Sequence, residues 1–147
     1  MAETKEKCIF CRIANGGDDT TRILDDRDNL VIFKDIRPAT DHHYLVVPKS
    51  HMEDAKHLSS KDIPLVEKLV SHGQEFLEEQ GADVSDVRMG FHWPPFHTVS
   101  HLHLHVISPQ REMGWIAKRH FQTRLVVVQN PRLGHEATQG TWLIQLS

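Results

Sequence analysis

The sequence predicts a single domain in which antiparallel strands pack against helices, and three observations support this prediction. Residues 101–107 read His-Leu-His-Leu-His-Val-Ile, and such strict alternation of polar and apolar residues is typical of a β-strand. Residues 60–80 carry apolar side chains three and four positions apart, which is the spacing of an amphipathic helix. Short apolar stretches at 20–24, 29–35 and 43–48 lie between turn residues, as expected for antiparallel neighbours.

The N-terminal part of the chain predicts a short helix and a reducing compartment. Residues 1–7 are polar and charged, lack the apolar segment of a secretory signal and are expected to be disordered. Residues 8–14 place apolar side chains on one side of a helical turn. The chain has two cysteines, Cys8 and Cys11, and a Cys-x-x-Cys pair inside the cell indicates metal or redox chemistry before a structural disulfide.

The long helix has sequence signals at both of its ends. Ser59 or Ser60 can accept hydrogen bonds from the first free N–H groups, and Pro64 fits a first turn, where no N–H is needed. Gly81 suits the position just after the last turn.

The second half of the chain is regular only at first. A strand is expected over 84–91, and a helix is expected to begin within 114–118. We therefore expect a domain over 8–118 followed by a divergent tail over 119–147. Within that tail, residues 125–128 are either disordered or an added strand at the sheet edge.

The composition favours a small-molecule partner. Seventeen basic and twenty acidic residues give a net charge of −3, which offers no footprint for nucleic acid. No apolar run approaches the roughly 18 residues of a membrane span.

Five histidines that fit no pattern are expected at the surface: His42, His57, His72, His120 and His135.

The alternating stretch places three imidazoles on one face of a strand. His101, His103 and His105 share that face, and aliphatic residues take the other. At roughly 3.3 Å per residue, the outer two imidazoles begin about 13 Å apart, which is too far for all three to bind one metal ion. An extended ligand such as a phosphate ester fits better. His103 has an imidazole on each side, so it is the expected nucleophile.

These motifs resemble one known family. The pattern His-φ-His-φ-His-φ-φ at 101–107 is the signature of the histidine triad superfamily. Residues 8–11, 33–38 and 43–51 match its nucleotide-binding branch in order and spacing, and the resemblance covers about residues 8–118. It implies an α+β fold with a five-stranded antiparallel sheet and two helices, the triad on a strand, and a homodimer in the cytoplasm and nucleus.

The resemblance also implies an activity, a purine nucleotide phosphoramidase or acyl-nucleotide hydrolase that needs no cofactor. His103 would attack the α-phosphorus and expel an amine or acyl group, and water would then release AMP or GMP. Asp35 matches the carboxylate that binds the ribose hydroxyls, and Ile36 lies beside it. The other residues expected at the nucleotide are Phe10, Ile13 and Phe33 at the base, and His43, Thr98, Leu104 and His105 around the phosphate.

Simpler roles remain open for several of these residues. Asp35 could only initiate a turn, and the residues assigned to the base could be ordinary core. In some family members a zinc ion is held by the residues that correspond here to Cys8, Cys11, His51 and His101. The alternative for the cysteines is a reduced, buried pair that packs like small apolar residues.

Two departures from the family leave the function partly open. Family members commonly have Gly-Gln shortly before the triad, where this chain has Phe96-His97, and residues after about 119 match nothing in the family. Leaving-group preference therefore cannot be transferred. Two other functions remain alternatives: a nucleotide sensor or scaffold without turnover, and a dinucleoside polyphosphate hydrolase.

Overall fold

The computed structural model of the chain describes residues 7–92, 99–123, 125–128 and 144–145. From residue 120 onward the structure describes only the backbone. The disorder expected at residues 1–6, the Phe96-His97 pair, Thr98, His135 and most of the tail lie outside the described residues, and the side chain of His120 is likewise not described.

The described strands form one antiparallel sheet. The strands are β1 (Asp25–Arg27), β2 (Leu30–Lys34), β3 (His42–Pro48), β4 (Arg88–His92), β5 (Leu104–Ser108), β6 (Leu125–Val128) and β7 (Ile144–Gln145). Their order across the sheet is β1-β2-β3-β5-β4-β6-β7. The first five strands are the expected five-stranded sheet, which is confirmed, and the last two extend it beyond β4.

The main core lies between one face of this sheet and the helix α2 (Ile63–Glu79). Alternate strand residues point to this face, among them Val46, Leu104 and Val106. The closest approach is at Gly73 of α2, where an added Cβ would lie 2.8 Å from a methyl group of Val106. The aliphatic side of the histidine stretch therefore packs against the core, as its alternation predicts.

Local signals fix both ends of α2. Ser59 and Asp62 bracket a 3-10 turn, where the Asp62 carboxylate accepts hydrogen bonds from the Ser59 N–H at 2.9 Å and hydroxyl at 3.2 Å. Pro64 lies in the first turn of the helix. Gly81, just beyond the helix, has φ +73°, a left-handed conformation that glycine adopts readily.

A second, smaller core lies on the opposite face of the sheet beneath the short helix α1 (Ile9–Ala14). Cys8 caps this helix, since its sulfur accepts a hydrogen bond from the Cys11 N–H at 3.4 Å. Strand residues such as Val31 and Leu45 pack against the buried side of α1. The histidines of the triad emerge on this same face.

Three predictions from the sequence are corrected. Residues 20–24 form no strand, because the Asp18 carboxylate accepts hydrogen bonds from Thr20 and Thr21 and holds them in a turn. The histidine strand begins at Leu104 rather than at residue 101. His72 is buried, 7% exposed, because it lies on the apolar side of α2.

The helix expected to begin within 114–118 is α3 (Trp115–Thr123). Beyond it, β6 pairs with the outer side of β4 and with β7, so the structure has the added strand and not the disordered alternative for residues 125–128. Within the described ranges, no helix is both long and apolar enough to cross a membrane.

Candidate active site

His103 lies just ahead of β5, on the α1 face of the sheet, and is 7% exposed. Its Nδ1–H donates a 2.7 Å hydrogen bond to the backbone carbonyl of His101. The ring of Phe10 packs edge-on against it, with ring centroids 5.0 Å apart. With its proton held on Nδ1, His103 presents the lone pair of Nε2, which is the atom a nucleophile needs.

A chain of two hydrogen bonds that starts at a backbone N–H sets the proton positions of His43 and His105. The N–H of Ala39 donates to Nδ1 of His43 at 2.9 Å, so the proton of a neutral His43 is on Nε2. Nε2 of His43 lies 3.0 Å from Nδ1 of His105, and its N–H donates to that nitrogen. His105 therefore carries its own proton on Nε2 and can donate it to an anion.

His43 remains neutral in this arrangement. Its side chain is fully buried, and burial lowers its pKa from 6.5 to about 4, although the nearby Asp35 carboxylate acts in the opposite direction. A neutral His43 with Nδ1 accepting from the backbone is consistent with donation from Nε2 to His105.

Asp35 both closes a turn and lies beside the histidines of the site, the two roles between which the sequence could not decide. Its Oδ1 accepts the Arg37 N–H at 2.8 Å, which closes the turn. Its Oδ2 lies 3.4 Å from Nε2 of His43 and 3.7 Å from Nδ1 of His105. The neighbouring Ile36 is 94% exposed and therefore packs against little in this chain.

The residues expected to form the base pocket are buried in the α1-face core. Phe10, Ile13 and Phe33 are 8%, 5% and 3% exposed. Phe10 packs edge-on against Phe33 as well as against His103. Leu104 is fully buried on the opposite face, among the α2 residues, so its side chain does not point toward the triad.

His92, at the end of β4, is the functional candidate that the sequence analysis missed. It is 8% exposed, and its ring centroid lies 4.5 Å from that of His105. One nitrogen from each of His92, His103 and His105 lies within 4.8 Å of the others. The proximity follows from strand pairing, because His92 lies two residues after Gly90, which pairs with His105. No pattern in the sequence indicates it.

These three imidazoles form a site better suited to an anion than to a metal ion. A metal ligand must offer a lone pair, and Nε2 of His105 carries a proton because Nδ1 accepts from His43. His92 and His103 also line a small recess of the surface. The arrangement offers a lone pair from His103 and an N–H from His105, which is what phosphoryl transfer requires.

Four other side chains converge at the opposite end of the histidine stretch. Sγ of Cys8 and Sγ of Cys11 lie 3.3 Å and 3.4 Å from Nδ1 of His101. Sγ of Cys11 also lies 3.3 Å from Nδ1 of His51. In a tetrahedral zinc site these sulfur-to-nitrogen edges would be roughly 3.5 Å. The spacing therefore fits a metal ion bound by two sulfurs and two nitrogens.

The surroundings of His101 support ligation through Nδ1. Its Nε2–H donates to the carbonyl of Pro48 at 2.8 Å, which leaves Nδ1 deprotonated and directed at the sulfurs. Burial lowers the pKa of His101 to about 4, so the ring is neutral. The sequence prediction that a metal would take only one member of the triad matches this placement.

Comparisons with known proteins point to one family. The family model described as scavenger mRNA decapping enzyme C-term binding matches residues 7–121. Adenosine 5'-monophosphoramidase HINT3 of Mus musculus is 49% identical over 113 residues, 76% of this chain and 68% of that protein. The protein of the same name from Xenopus tropicalis is 46% identical, over 76% of this chain and 73% of that protein.

Solved structures share the fold. A histidine triad protein from Clostridium difficile superimposes with a TM-score of 0.65 and 29% identity, covering 72% of this chain and 92% of that chain. A zinc-bound histidine triad family protein from Mycobacterium smegmatis gives a TM-score of 0.60 and 25% identity, covering 76% of this chain and 83% of that chain. With these relatives and with the motif of residues 101–107, the chain belongs to the histidine triad family.

Proposed function

We propose that this chain is a hydrolase that cleaves the P–N bond of purine nucleoside 5'-phosphoramidates, adenosine 5'-monophosphoramidate above all, and releases AMP or GMP. Acyl-nucleotides are substrates of the same chemistry. The relatives named above carry this activity in their names. The observation that carries the proposal is the 2.7 Å bond from His103 Nδ1–H to the His101 carbonyl, which holds the proton on Nδ1 and the lone pair on Nε2.

In the first step, Nε2 of His103 attacks the α-phosphorus and the bond to the leaving group breaks; an acyl group departs as its carboxylate, and an amine departs neutral after its nitrogen has taken a proton from solvent. Nε2–H of His105 donates to a non-bridging oxygen, where negative charge concentrates. We assign His92 to the same phosphate, because its ring lies against that of His105. In the second step, water attacks the nucleotidyl-histidine. His103 departs readily because Nδ1 has kept its proton, so the bound ring is a cation.

The experiment is AMP release from adenosine 5'-phosphoramidate, with intact-mass detection of the intermediate. Wild type should turn over and gain the mass of one AMP, and His103→Ala should do neither. His42→Ala is the matched control, because His42 hydrogen-bonds Tyr44, whose side chain lies on the opposite face of the sheet. Turnover by His103→Ala at the wild-type rate would overturn the proposal.

The same assay separates the two alternatives. A sensor would bind AMP without turnover or labelling in wild type. A dinucleoside polyphosphate hydrolase would release AMP from diadenosine triphosphate faster than from the phosphoramidate. No observation among the described residues favours either alternative. The Phe96-His97 departure that left room for a sensor lies outside those residues, and the triad that a dinucleoside polyphosphate hydrolase would share is common to both activities.

The nucleoside is assigned to the side of the triad that carries α1 and the turn at Asp35. Asp35 would bind the ribose hydroxyls, Ile36 would contact the nucleoside, and Phe10, Ile13 and Phe33 would form the base pocket. The support is the position of Asp35 beside the His43–His105 pair and of Phe10 against His103. Asp35→Asn should raise KM for the ribonucleotide more than for its 2',3'-dideoxy analogue.

We further propose that Cys8, Cys11, His51 and His101 hold a structural zinc ion. The support is the tetrahedral fit of their distances and the Pro48 carbonyl that orients His101. Zinc would supply a fixed junction between α1 and the triad and no reacting group. Protein purified without chelator should contain about one zinc per chain, and less than a tenth of an equivalent would contradict the assignment.

A homodimer in the cytoplasm and nucleus is also proposed, with no nucleic-acid or membrane partner, on the family resemblance and the net charge of −3. Light scattering on the purified chain should give twice the 16.9 kDa chain mass. Fractionation of cells that express the tagged protein tests the location.

A further inference from the structure

One peptide unit lies between the metal cluster and the catalytic histidine. This unit joins His101 to Leu102. Its carbonyl accepts Nδ1–H of His103 at 2.7 Å, and its N–H donates to the carbonyl of Met52 at 2.7 Å. The orientation of this peptide plane therefore determines where the ring of His103 points.

Strand pairing does not hold this peptide unit. The ladder between β3 and β5 reaches only as far as the pair of Val46 with Leu104, and the ladder between β4 and β5 only as far as Gly90 with His105. The nucleophile thus precedes the first paired residue of its own strand. Its position depends on contacts other than the regular sheet.

Those contacts come from the cysteine–histidine cluster. The His101 side chain is fully buried, with Nδ1 at the two sulfurs and Nε2–H on Pro48. Met52, which receives the N–H of the peptide unit, directly follows His51, and His51 approaches Cys11. The cluster therefore reaches the peptide unit by two routes, through the His101 ring and through the bond from His51 to Met52.

We propose that Cys8, Cys11 and His51 are positioning residues for the reaction, and that a divalent ion on the cluster fixes the His101–Leu102 peptide so that His103 presents Nε2 to phosphorus. This rests on the proposed function and on the zinc site. Loss of the ion lets the peptide reorient and lowers turnover while nucleotide affinity is kept. A displacement of about 1 Å can lower a rate by about 10²-fold, so a loss of kcat between tenfold and a hundredfold is expected.

A cluster that only attaches α1 to the sheet would behave differently. Its loss would reduce stability, and any loss of activity would follow the unfolded fraction. Positioning instead predicts a lower kcat in protein that is fully folded, with KM for the nucleotide substrate unchanged. The two roles are therefore separated by kinetics measured below the melting transition of every variant.

The variant is Cys11→Ser, because Cys11 contacts both His51 and His101. The control is Val31→Ala, which removes methyl groups from the same core and leaves the four ligands in place. Zinc content, Tm, kcat and KM are measured on adenosine 5'-phosphoramidate. Cys11→Ser should lose zinc and kcat together, whereas Val31→Ala should lower Tm with zinc and kcat at wild-type levels. A zinc-free Cys11→Ser with wild-type kcat would refute the proposal.

A second readout is independent of activity and of the variant's folding. In ¹H–¹⁵N spectra of histidine side chains, the Nδ1–H of His103 should give a sharp downfield signal in the zinc form. The signal should broaden or shift when a chelator removes zinc from wild type, and zinc addition should restore it. An unchanged signal, or a protein that binds no zinc on titration, overturns the proposal. Absence of hydrolysis by the zinc form would refute the proposed function only, and the spectra would still decide the coupling.

Discussion

Acidification tests the neutral state of His43, on which the arrangement of protons at the triad depends. Burial lowers the pKa of His43 from 6.5 to about 4. Between these pH values the unfolded chain binds a proton that the folded protein does not accept, so the free energy of unfolding falls as pH falls. The contribution of the neutral His43 to the free energy of unfolding is fully present above pH 6.5, and no further loss from this group occurs below about pH 4.

The magnitude follows from the interval. From pH 6.5 to pH 5 is about 1.5 units, and at 1.36 kcal/mol per unit the loss is about 2 kcal/mol. His43→Gln keeps a donor near the position of Nε2 and removes the titration. Urea unfolding followed by circular dichroism at pH 7 and pH 5 should therefore show about 2 kcal/mol less acid destabilisation in this variant than in wild type.

Titrating groups that do not contact His43 are present in both proteins and cancel in the difference, including His101, whose pKa is also lowered by burial. Val31→Ala, which carries no charge, shows whether lost stability alone alters the pH dependence, and we expect that it does not. Equal losses in wild type and His43→Gln between pH 7 and pH 5 would refute the neutral, donor role of His43.

Three further predictions follow from single residues. Gly73→Ala should destabilise the fold by about 1–3 kcal/mol in urea, because its Cβ would lie 2.8 Å from Val106; a loss near zero would mean that Val106 can rotate away. Gly81→Ala should cost about 1 kcal/mol, because φ is +73° there; thermal unfolding gives the value, and an unchanged Tm would show that the turn relaxes. His92→Ala should lower kcat by about 10²-fold without changing the melting curve, because it removes an imidazole proposed to contact the phosphate. Steady-state kinetics give kcat, and a wild-type kcat in this variant would exclude His92 from the site.

Periodicity predicted α2 because this helix buries one side, and it predicted the histidine strand because the two faces of that strand carry different residue types. The alternation of residues 101–107 shows which face each side chain takes, and the structure has Leu104 and Val106 on the α2 core as expected. Alternation does not show where hydrogen-bonded pairing stops. That limit depends on β3 and β4, which leave the chain ahead of Leu104 unpaired in the ladder, so the strand boundary was wrong.

Two contributions to the site were missed, one because it depends on long-range strand pairing and the other because it comes from the backbone. His92 has no partner pattern in the sequence, and its proximity to His105 arises only because β4 and β5 are neighbours in the sheet. The Ala39 N–H that sets the proton of His43 is a backbone group, so no residue type could indicate it. By contrast, the resemblance named in advance the four side chains that converge at His101, because their residue types were present in the sequence; the zinc ion that they are proposed to hold stays a prediction.

The three triad histidines share a residue type and a face, yet the group opposite each one assigns it a different chemistry. His101 donates Nε2–H to Pro48, so Nδ1 offers a lone pair to the sulfurs and to a metal ion. His103 donates Nδ1–H to a carbonyl, so Nε2 keeps the lone pair that the proposed attack on phosphorus needs. His105 accepts on Nδ1, so Nε2 offers a proton to an oxygen. In the proposed reaction, a change of hydrogen-bond partner alone would exchange nucleophile and donor, so the proposal depends on the peptide and the imidazole that supply these partners as much as on the triad.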